Sequence, residues 1–332
     1  MTRRVFVTRP VPDAPLRRLA ETARVDLWDD DSPPPHADLI ARCANTDAVI
    51  SMVSDRFDAT TIEQLPRLQI ISNFAVGLDN IDLAAATKAG IAVGHTPGVL
   101  AETTADLAFA LLMATARRVA EGDRFVRAGR WKTWTPRLML GRDIYAATLG
   151  IVGWGEIGQA VARRAVGFGM RILYAAHQSS RVRSFTIPAP PATPVDLGEL
   201  LASSDFISIN VPLTAQTRHM ISDHQFALMK RDAILINTAR GAVIDQEALV
   251  TALKLERIAG AGLDVTEVEP IGADHPLLHF PNVVVTPHIG SASHATRVKM
   301  AEVAVQNVLD VLAGGLPGRC ANPTVVLRGA KA

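Results

Sequence analysis

Cysteine is nearly absent: Cys43 and Cys320 are the only two among 332 residues, and no close spacing links them. A disulfide framework and a thiolate metal site are therefore both excluded, no metal is expected, and a reducing, cytoplasmic setting is. Charge of one sign is missing as well, since 34 Lys and Arg meet 33 Asp and Glu for a formal net charge of +1. No whole-molecule field exists to hold a nucleic acid or an anionic membrane, so neither is expected as a partner. Long hydrophobic runs are lacking too. The richest apolar stretch, 107–116, lies between Asp106 and Arg117 and is about half the roughly 20 residues that cross a bilayer; it is read as a buried helix. The opening MTRRVFVTRPVPDAP alternates and then meets prolines, without the apolar core of a signal peptide, and is read as a first strand. No fixed-period repeat occurs.

What is present is a globular composition, 48% hydrophobic and 20% charged, on a chain long enough for two domains of about 150 residues each. In the first hundred residues, apolar runs at 4–8, 47–51, 68–72 and 91–95 alternate with amphipathic helical stretches. This is the pattern of a parallel sheet wound with helices. A long helix is expected over 103–121, opened by Thr and Asp, closed by Gly122, and marking a domain crossing. From 147 the pattern repeats, with runs at 147–152, 170–175, 205–211, 233–238, 261–265 and 282–287, which predict one doubly wound sheet of six strands. Helices are expected at 157–166, 246–255 and 296–313, and the proline-dense 187–194 is expected to be a surface connection.

In TLGIVGWGEIGQAVARRA, Gly153, Gly155 and Gly158 form G-x-G-x-x-G directly after a predicted strand and before a predicted helix. Packing alone can use glycines in such a turn, but the context also suits a dinucleotide. Gly153 permits the turn, Gly155 lets backbone approach a diphosphate, Gly158 lets helix pack on strand, and the helix N-terminus offers N–H groups to phosphate. About 20 residues on, an NAD-preferring fold carries a carboxylate for the ribose hydroxyls. Here the sequence reads ILYAAHQSSRVRS, with Ala176 at that place. Nothing there repels a 2′-phosphate, and His177, Ser179, Ser180, Arg181 and Arg183 are able to donate to one. NADP(H) is the expected preference, with Arg181 the favoured phosphate partner and NAD(H) the second option; the plainer alternative is that these arginines solvate a loop.

An open parallel sheet binds ligands beyond the carboxyl ends of its strands. Arg240 follows the run at 233–238, Glu269 the run at 261–265, and His288 the run at 282–287, so all three emerge at the edge that carries the glycine turn. Hydride delivery to the carbonyl carbon of a 2-oxo acid leaves an alkoxide that needs a proton, which an imidazolium supplies. His288 suits that role. Glu269 beside it would favour the charged ring and fix which nitrogen faces the substrate. Arg240 offers planar donors to a carboxylate and a polarised carbonyl oxygen. Each alone reads more readily as a solvated loop residue or a structural histidine; together, in this order, they make a reaction centre. His275 and His279 stand four apart in HPLLH, but Pro276 and the lack of an intervening Glu speak against a zinc helix.

These stretches, GWGEIG, NTARG around Arg240, AGLDV with the following Glu269-Pro270, and PHIGSAS around His288, resemble the D-isomer-specific 2-hydroxyacid dehydrogenases, over nearly the whole chain. Within that family SNFAVGLDNID, RWKTWTPRLMLG and LDVTEVEPIGADHPLL are most similar to glyoxylate/hydroxypyruvate reductases. The resemblance implies an α/β architecture in which a Rossmann-type nucleotide domain, 100–288, is inserted into a smaller flavodoxin-like substrate-binding domain, 1–99 and 289–332. It also implies a homodimer formed through the nucleotide domains.

By the same likeness, backbone N–H groups of Ala75, Val76 and Gly77 meet the substrate carboxylate, Arg240 binds substrate, and Ser291 sits beside His288. Trp134 reaches toward the neighbouring subunit's pocket, or else packs in the interface. The cofactor contacts implied are Gly153, Gly155, Glu156, Ile157 and Gly158 in the turn, then His177, Ser179 and Arg181 at the ribose. Pro212, Thr238, Ala239, Arg240, Asp264, His288 and Gly290 follow along the remaining strand ends. Two features depart from the family pattern: Trp154 and Glu156 stand where a smaller apolar and a basic residue are commoner, and no arginine directly follows Ala176. The activity implied is NADPH-dependent reduction of glyoxylate or hydroxypyruvate to the D-2-hydroxy acid, with His288 as proton donor. A reductase of bulkier 2-oxo acids (hydroxyphenylpyruvate, 2-ketogluconate) and a non-catalytic NAD(P)-sensing binding protein stay open as alternatives.

Overall fold

Short β-branched runs build the first of two units into which the chain divides, Met1–Leu100 with Ser291–Ala332; the second is Ala101–Gly290. The computed structural model describes residues 2–176 and 192–328. In the first unit, β1 (Arg3–Val7), β2 (Ala23–Leu27), β3 (Ala48–Ser51), β4 (Ile70–Asn73) and β5 (Ala92–Gly94) lie in one parallel sheet of order β2-β1-β3-β4-β5, the flavodoxin-like order. Helices α1 (Asp13–Ala20), α2 (His36–Ala44), α3 (Ala59–Glu63) and α4 (Leu83–Lys88) connect them. Asp58 and Asp82 cap α3 and α4 by accepting from the N–H groups of Thr61 and Ala85. The inner strands are buried on both faces, as Ile70 and Ile71 show. The strand β2 is absent from the sequence-based expectation. At the sheet edge only Ala23 is buried and Val25 and Leu27 are half-buried, and the exposed Arg24 and Asp26 break the apolar run by which the other strands are recognised.

The second unit opens with α5 (Ala101–Ala116) and α6 (Val119–Arg127), which corrects the single helix expected over 103–121. The N–H of Arg142 takes the carbonyl of Ala116 at 2.8 Å, so that carbonyl cannot carry the helix onward. Arg118 turns left-handed at φ 53° and its guanidinium grips Glu121 at 2.7 and 2.8 Å, so α6 starts afresh and runs through Gly122. There follow β6 (Thr148–Val152), α7 (Glu156–Val166), β7 (Arg171–Ala175), β8 (Thr193–Pro194), α8 (Leu197–Ser203) and β9 (Phe206–Ile209). Then come α9 (Asp223–Leu228), β10 (Ile234–Asn237), α10 (Gln246–Lys254), β11 (Gly260–Leu263) and β12 (Val283–Val285).

The parallel sheet has the order β12-β11-β10-β9-β6-β7-β8, seven strands where six were expected. The extra one, β8, pairs with β7 inside the stretch read as a mere connection. Its Pro194 has no N–H to donate, which an edge strand tolerates. Strand order reverses between β6 and β9, and that switch point opens a crevice beyond their carboxyl ends. Ile151, Ile172 and Ile236 pack with Ala108 and Leu112 on one face of the sheet. Ile207, Leu235 and Leu263 pack with Leu249 on the other. The chain then returns to the first unit as α11 (His294–Leu312), where Ser293 accepts from the Thr296 N–H. No helix among the described residues is long and apolar enough to cross a membrane.

Candidate active site

The glycine turn joins β6 to α7 through Gly153, whose φ of +98° suits glycine. A Cβ there would lie 2.7 Å from the Asn210 carbonyl oxygen, and one on Gly158 would strike the Gly153 carbonyl oxygen. These two glycines thus allow strand and helix to close on each other. Gly155 differs: a Cβ on it would meet nothing within 4 Å, so its backbone borders open space. Glu156 is exposed in the first turn of α7, where a negative charge complements the helix dipole. Trp154 turns aside to stack on Tyr174, ring centres 4.1 Å apart. At the ends of β9 and β10, the buried Asn210 Oδ1 and Thr238 Oγ1 have no hydrogen-bond partner among the described residues. Open backbone at a helix N-terminus with two unsatisfied polar atoms beside it fits a bound dinucleotide.

His288 stands three residues past β12 in a left-handed conformation, φ 54°. Its N–H donates to the carbonyls of Asp264 and Thr286 at 2.9 and 3.0 Å, which fixes the backbone from which the ring projects. Nδ1 lies 2.7 Å from Glu269 Oε2, and Oε1 of the same carboxylate accepts from the Thr266 N–H at 3.1 Å. With Nδ1 so engaged, Nε2 is the nitrogen left for a substrate. Below them, Asp264 at the end of β11 accepts from Thr286 Oγ1 at 2.6 Å and from the N–H groups of Ile289 and Gly290 at 2.8 and 2.7 Å. Burial pushes the Asp264 carboxyl above the ordinary carboxylate range, against the pull of those three donors and of His288.

Arg240 is carried by a loop that Asn237, buried at the end of β10, pins at both ends. Its Nδ2 donates to the Arg240 carbonyl at 2.9 Å and its Oδ1 accepts from the Ala239 N–H at 3.0 Å. The next residue, Gly241, lies against the backbone of Thr266 so closely that any Cβ would collide with it. The loop bearing Arg240 and the loop bearing Glu269 are thereby packed backbone to backbone. A second imidazole–carboxylate pair, His219 Nε2 and Glu267 Oε1 at 2.7 Å, braces the latter loop.

Of the residues singled out in the sequence, Glu269, His288, Asp264 and Gly290 are thus linked directly, and Arg240 stands on the adjoining loop. Thr238, Ala239 and Ile157 are buried or half-buried on the same strand ends and helix start, and Pro212 is exposed. Val76, Gly77 and Ser291 belong to the first unit. Trp134 is 76% exposed. His177, Ser179 and Arg181, with Ser180 and Arg183, lie outside the described residues. His275 accepts from the Leu277 N–H at 3.2 Å and caps the 3-10 turn Pro276–His279. Sequence reasoning passed over Asn210 and Asn237; the signal was a polar residue ending an otherwise apolar run. Nothing in the sequence pointed to His219, whose partner is distant in the chain.

The family model described as D-isomer specific 2-hydroxyacid dehydrogenase, NAD binding domain, matches residues 109–290. Over 327 residues the chain is 53% identical to the glyoxylate reductase of Korarchaeum cryptofilum, covering 98% of each chain. Among solved structures, a Thermus thermophilus protein superposes with TM-score 0.88 at 48% identity, covering 96% of this chain and 99% of that one. The NADPH-dependent glyoxylate/hydroxypyruvate reductase of Sinorhizobium meliloti, solved with NADP and malonate, superposes with TM-score 0.84 at 31% identity and full coverage of both, 100%. A glycine turn with room for a dinucleotide and relatives of this kind leave one conclusion: the chain belongs to the D-isomer specific 2-hydroxyacid dehydrogenases, and is an NAD(P)-dependent oxidoreductase.

Proposed function

We propose that this enzyme reduces glyoxylate or hydroxypyruvate to the 2-hydroxy acid, of D configuration where a stereocentre forms, with NADPH as preferred donor. The observation that carries this is the 2.7 Å contact of His288 with Glu269 beyond the carboxyl edge of the sheet. Relatives named glyoxylate reductase, 45–53% identical over almost the whole chain, supply the substrate class.

The turn Gly153, Gly155, Glu156, Ile157 and Gly158 would hold the diphosphate, and Pro212, Thr238, Ala239, Asp264 and Gly290 the remainder of the cofactor. Bound there, the nicotinamide supplies a hydride to the substrate's carbonyl carbon. The proton for the resulting alkoxide comes from His288 Nε2. Glu269 on Nδ1 keeps that nitrogen turned to the substrate and offsets the charge of the ring. Arg240 pairs with the substrate carboxylate and polarises the carbonyl oxygen. From the first unit, Ser291 and the N–H groups of Val76 and Gly77 are assigned to the substrate, the two N–H groups to its carboxylate. On this assignment 1–99 with 289–332 binds substrate and 100–288 binds the nucleotide.

Two observations support NADPH. Ala176 follows β7 where an NAD-preferring fold carries a carboxylate, with Arg181 assigned to the 2′-phosphate, and the Sinorhizobium relative is described as NADPH-dependent. We also assign a homodimer formed through the second unit. Val119, Val126, Trp131, Trp134, Leu140 and Tyr145 are all exposed within 119–145, and large apolar side chains exposed in one segment support an interface there.

The test is cofactor absorbance against glyoxylate, hydroxypyruvate, hydroxyphenylpyruvate and 2-ketogluconate, with NADPH and NADH in parallel. Oxidation of NADPH by the first two is expected. Faster turnover of the bulkier acids would move the substrate class, a higher kcat/KM with NADH would overturn the cofactor preference, and no oxidation at all would leave a nucleotide-binding scaffold.

A further inference from the structure

In the first unit, the turn Ala75-Val76-Gly77 that follows β4 is held from behind by three donors. The Thr96 N–H donates to the Ala75 carbonyl at 2.8 Å, His95 Nδ1 lies 3.2 Å from the Val76 carbonyl oxygen, and Asn73 Nδ2 donates to the Gly77 carbonyl at 2.9 Å. In a planar trans peptide the C=O and the following N–H point in opposite directions. Holding the carbonyls of Ala75 and Val76 therefore turns the N–H groups of Val76 and Gly77 the other way, as an adjacent pair. Neither of the two meets an acceptor among the described residues. Successive N–H groups presented together form a concavity suited to an anionic oxygen.

The three donors differ in kind. Thr96 contributes main chain, and Asn73 is fully buried with its amide also donating to Asn80 Oδ1 at 3.1 Å. His95 is a side chain reaching across from the end of β5, and only half-buried. Its own backbone is anchored on both sides: the His95 N–H donates to the Arg319 carbonyl at 3.1 Å, and its carbonyl accepts from Asn307 Nδ2 at 3.1 Å. A Cβ on the preceding Gly94 would come within 2.8 Å of that same Asn307 amide. The backbone that carries the imidazole is thus fixed by α11 and the segment after it rather than by the turn the ring touches.

We propose that His95 is a positioning residue for the carboxylate of a 2-oxo acid. With a proton on Nδ1 it holds the Val76–Gly77 peptide in the orientation that presents the Gly77 N–H. This rests on the assignment of that turn to the substrate carboxylate under the proposed function. The ring touches no reacting atom; it acts through the peptide.

Steady-state kinetics of the full-length enzyme at saturating NADPH separate this role from a merely structural one. In His95→Leu the KM for glyoxylate should rise about five- to tenfold, with kcat and NADPH affinity within about twofold of wild type. His95→Asn places an N–H where Nδ1 stood and should restore KM to within about twofold, whereas His95→Gln places it one bond further out and should not. An unchanged KM in His95→Leu, or a folded His95→Asn variant as impaired as His95→Leu, overturns the inference. If the wild type reduces no 2-oxo acid, the functional assignment fails by itself. The same variants are then compared by calorimetry for oxalate binding to the NADPH-loaded protein: weakening in His95→Leu with rescue by His95→Asn upholds the role of His95, and equal affinities or no oxalate binding refute it.

Discussion

Glu269 uses its two oxygens in different directions, Oε2 toward His288 and Oε1 toward the Thr266 N–H, so the carboxylate cannot turn without abandoning a donor. Glu269→Gln keeps the shape but sets an amide N–H against one of those two donors. Its kcat is expected to fall by about 10²-fold, while His288→Ala should lose about 10²–10⁴-fold, the range of a general acid. Cofactor affinity, read by fluorescence titration, should hold in both; near wild-type turnover in His288→Ala would remove that residue from the acid role. Asp264 carries a different load. Its oxygens gather the Thr286 hydroxyl before His288 and the N–H groups of Ile289 and Gly290 after it, so Asp264→Asn opposes an N–H to one of them and should lower denaturant stability by about 1–3 kcal/mol.

The sign of its pH effect follows from burial. A carboxyl raised in the native state binds protons more tightly there than in the unfolded chain, so its contribution to stability falls as pH rises above about 4, the unfolded value. Stability profiles of the wild type and Asp264→Asn should differ by that slope, and parallel profiles would argue against it. At this scale the pairing of Glu269 with His288, and the placing of Arg240 on the adjoining loop, were legible because a rule about strand ends brings distant positions to one edge. The clamp of Asn237 and the grip of Asp264 on the His288 loop were not, since they depend on how a turn closes after its strand has ended.

Among the elements, what the sequence disclosed and what it concealed divide by burial. Strands covered on both faces read as apolar runs and were found. The edge strands β2 and β8 were not, because Arg24, Asp26 and Pro194 occupy positions that face solvent or need no ladder bond. The break between α5 and α6 was hidden for another reason: the group that takes the Ala116 carbonyl, the N–H of Arg142, lies well downstream.

Two glycines give this scale its test. Gly241→Ala drives a Cβ into the Thr266 backbone, so relief requires the loops of Arg240 and Glu269 to part. Stability should drop by about 1–3 kcal/mol, and kcat should fall with it. Gly155→Ala meets nothing within 4 Å, so its stability should stay within about 0.5 kcal/mol of wild type while NADPH affinity weakens, because the added methyl stands where the diphosphate approaches. Equal stability losses in the two variants, by urea denaturation, would show that Gly155 serves packing and not the cofactor.

The molecule as a whole is two units, each built on one of the two parallel sheets, and the glycine turn and strand ends assigned to the dinucleotide belong to the second. A ligand that binds only the native state stabilises what it binds by mass action, about 2.7 kcal/mol at a hundred times its Kd. The four tryptophans report on both units, Trp28 on the first and Trp131, Trp134 and Trp154 on the second. Trp154, stacked on Tyr174 next to the turn, is the one whose emission NADPH should alter. In a Trp28→Phe variant, fluorescence-detected thermal unfolding then follows the second unit alone, and saturating NADPH should raise its midpoint. In a protein keeping only Trp28, the midpoint should move less. Equal shifts from both reporters would mean that the units melt as one cooperative body, and a shift confined to Trp28 would place the nucleotide in the first unit, against the turn at Gly153.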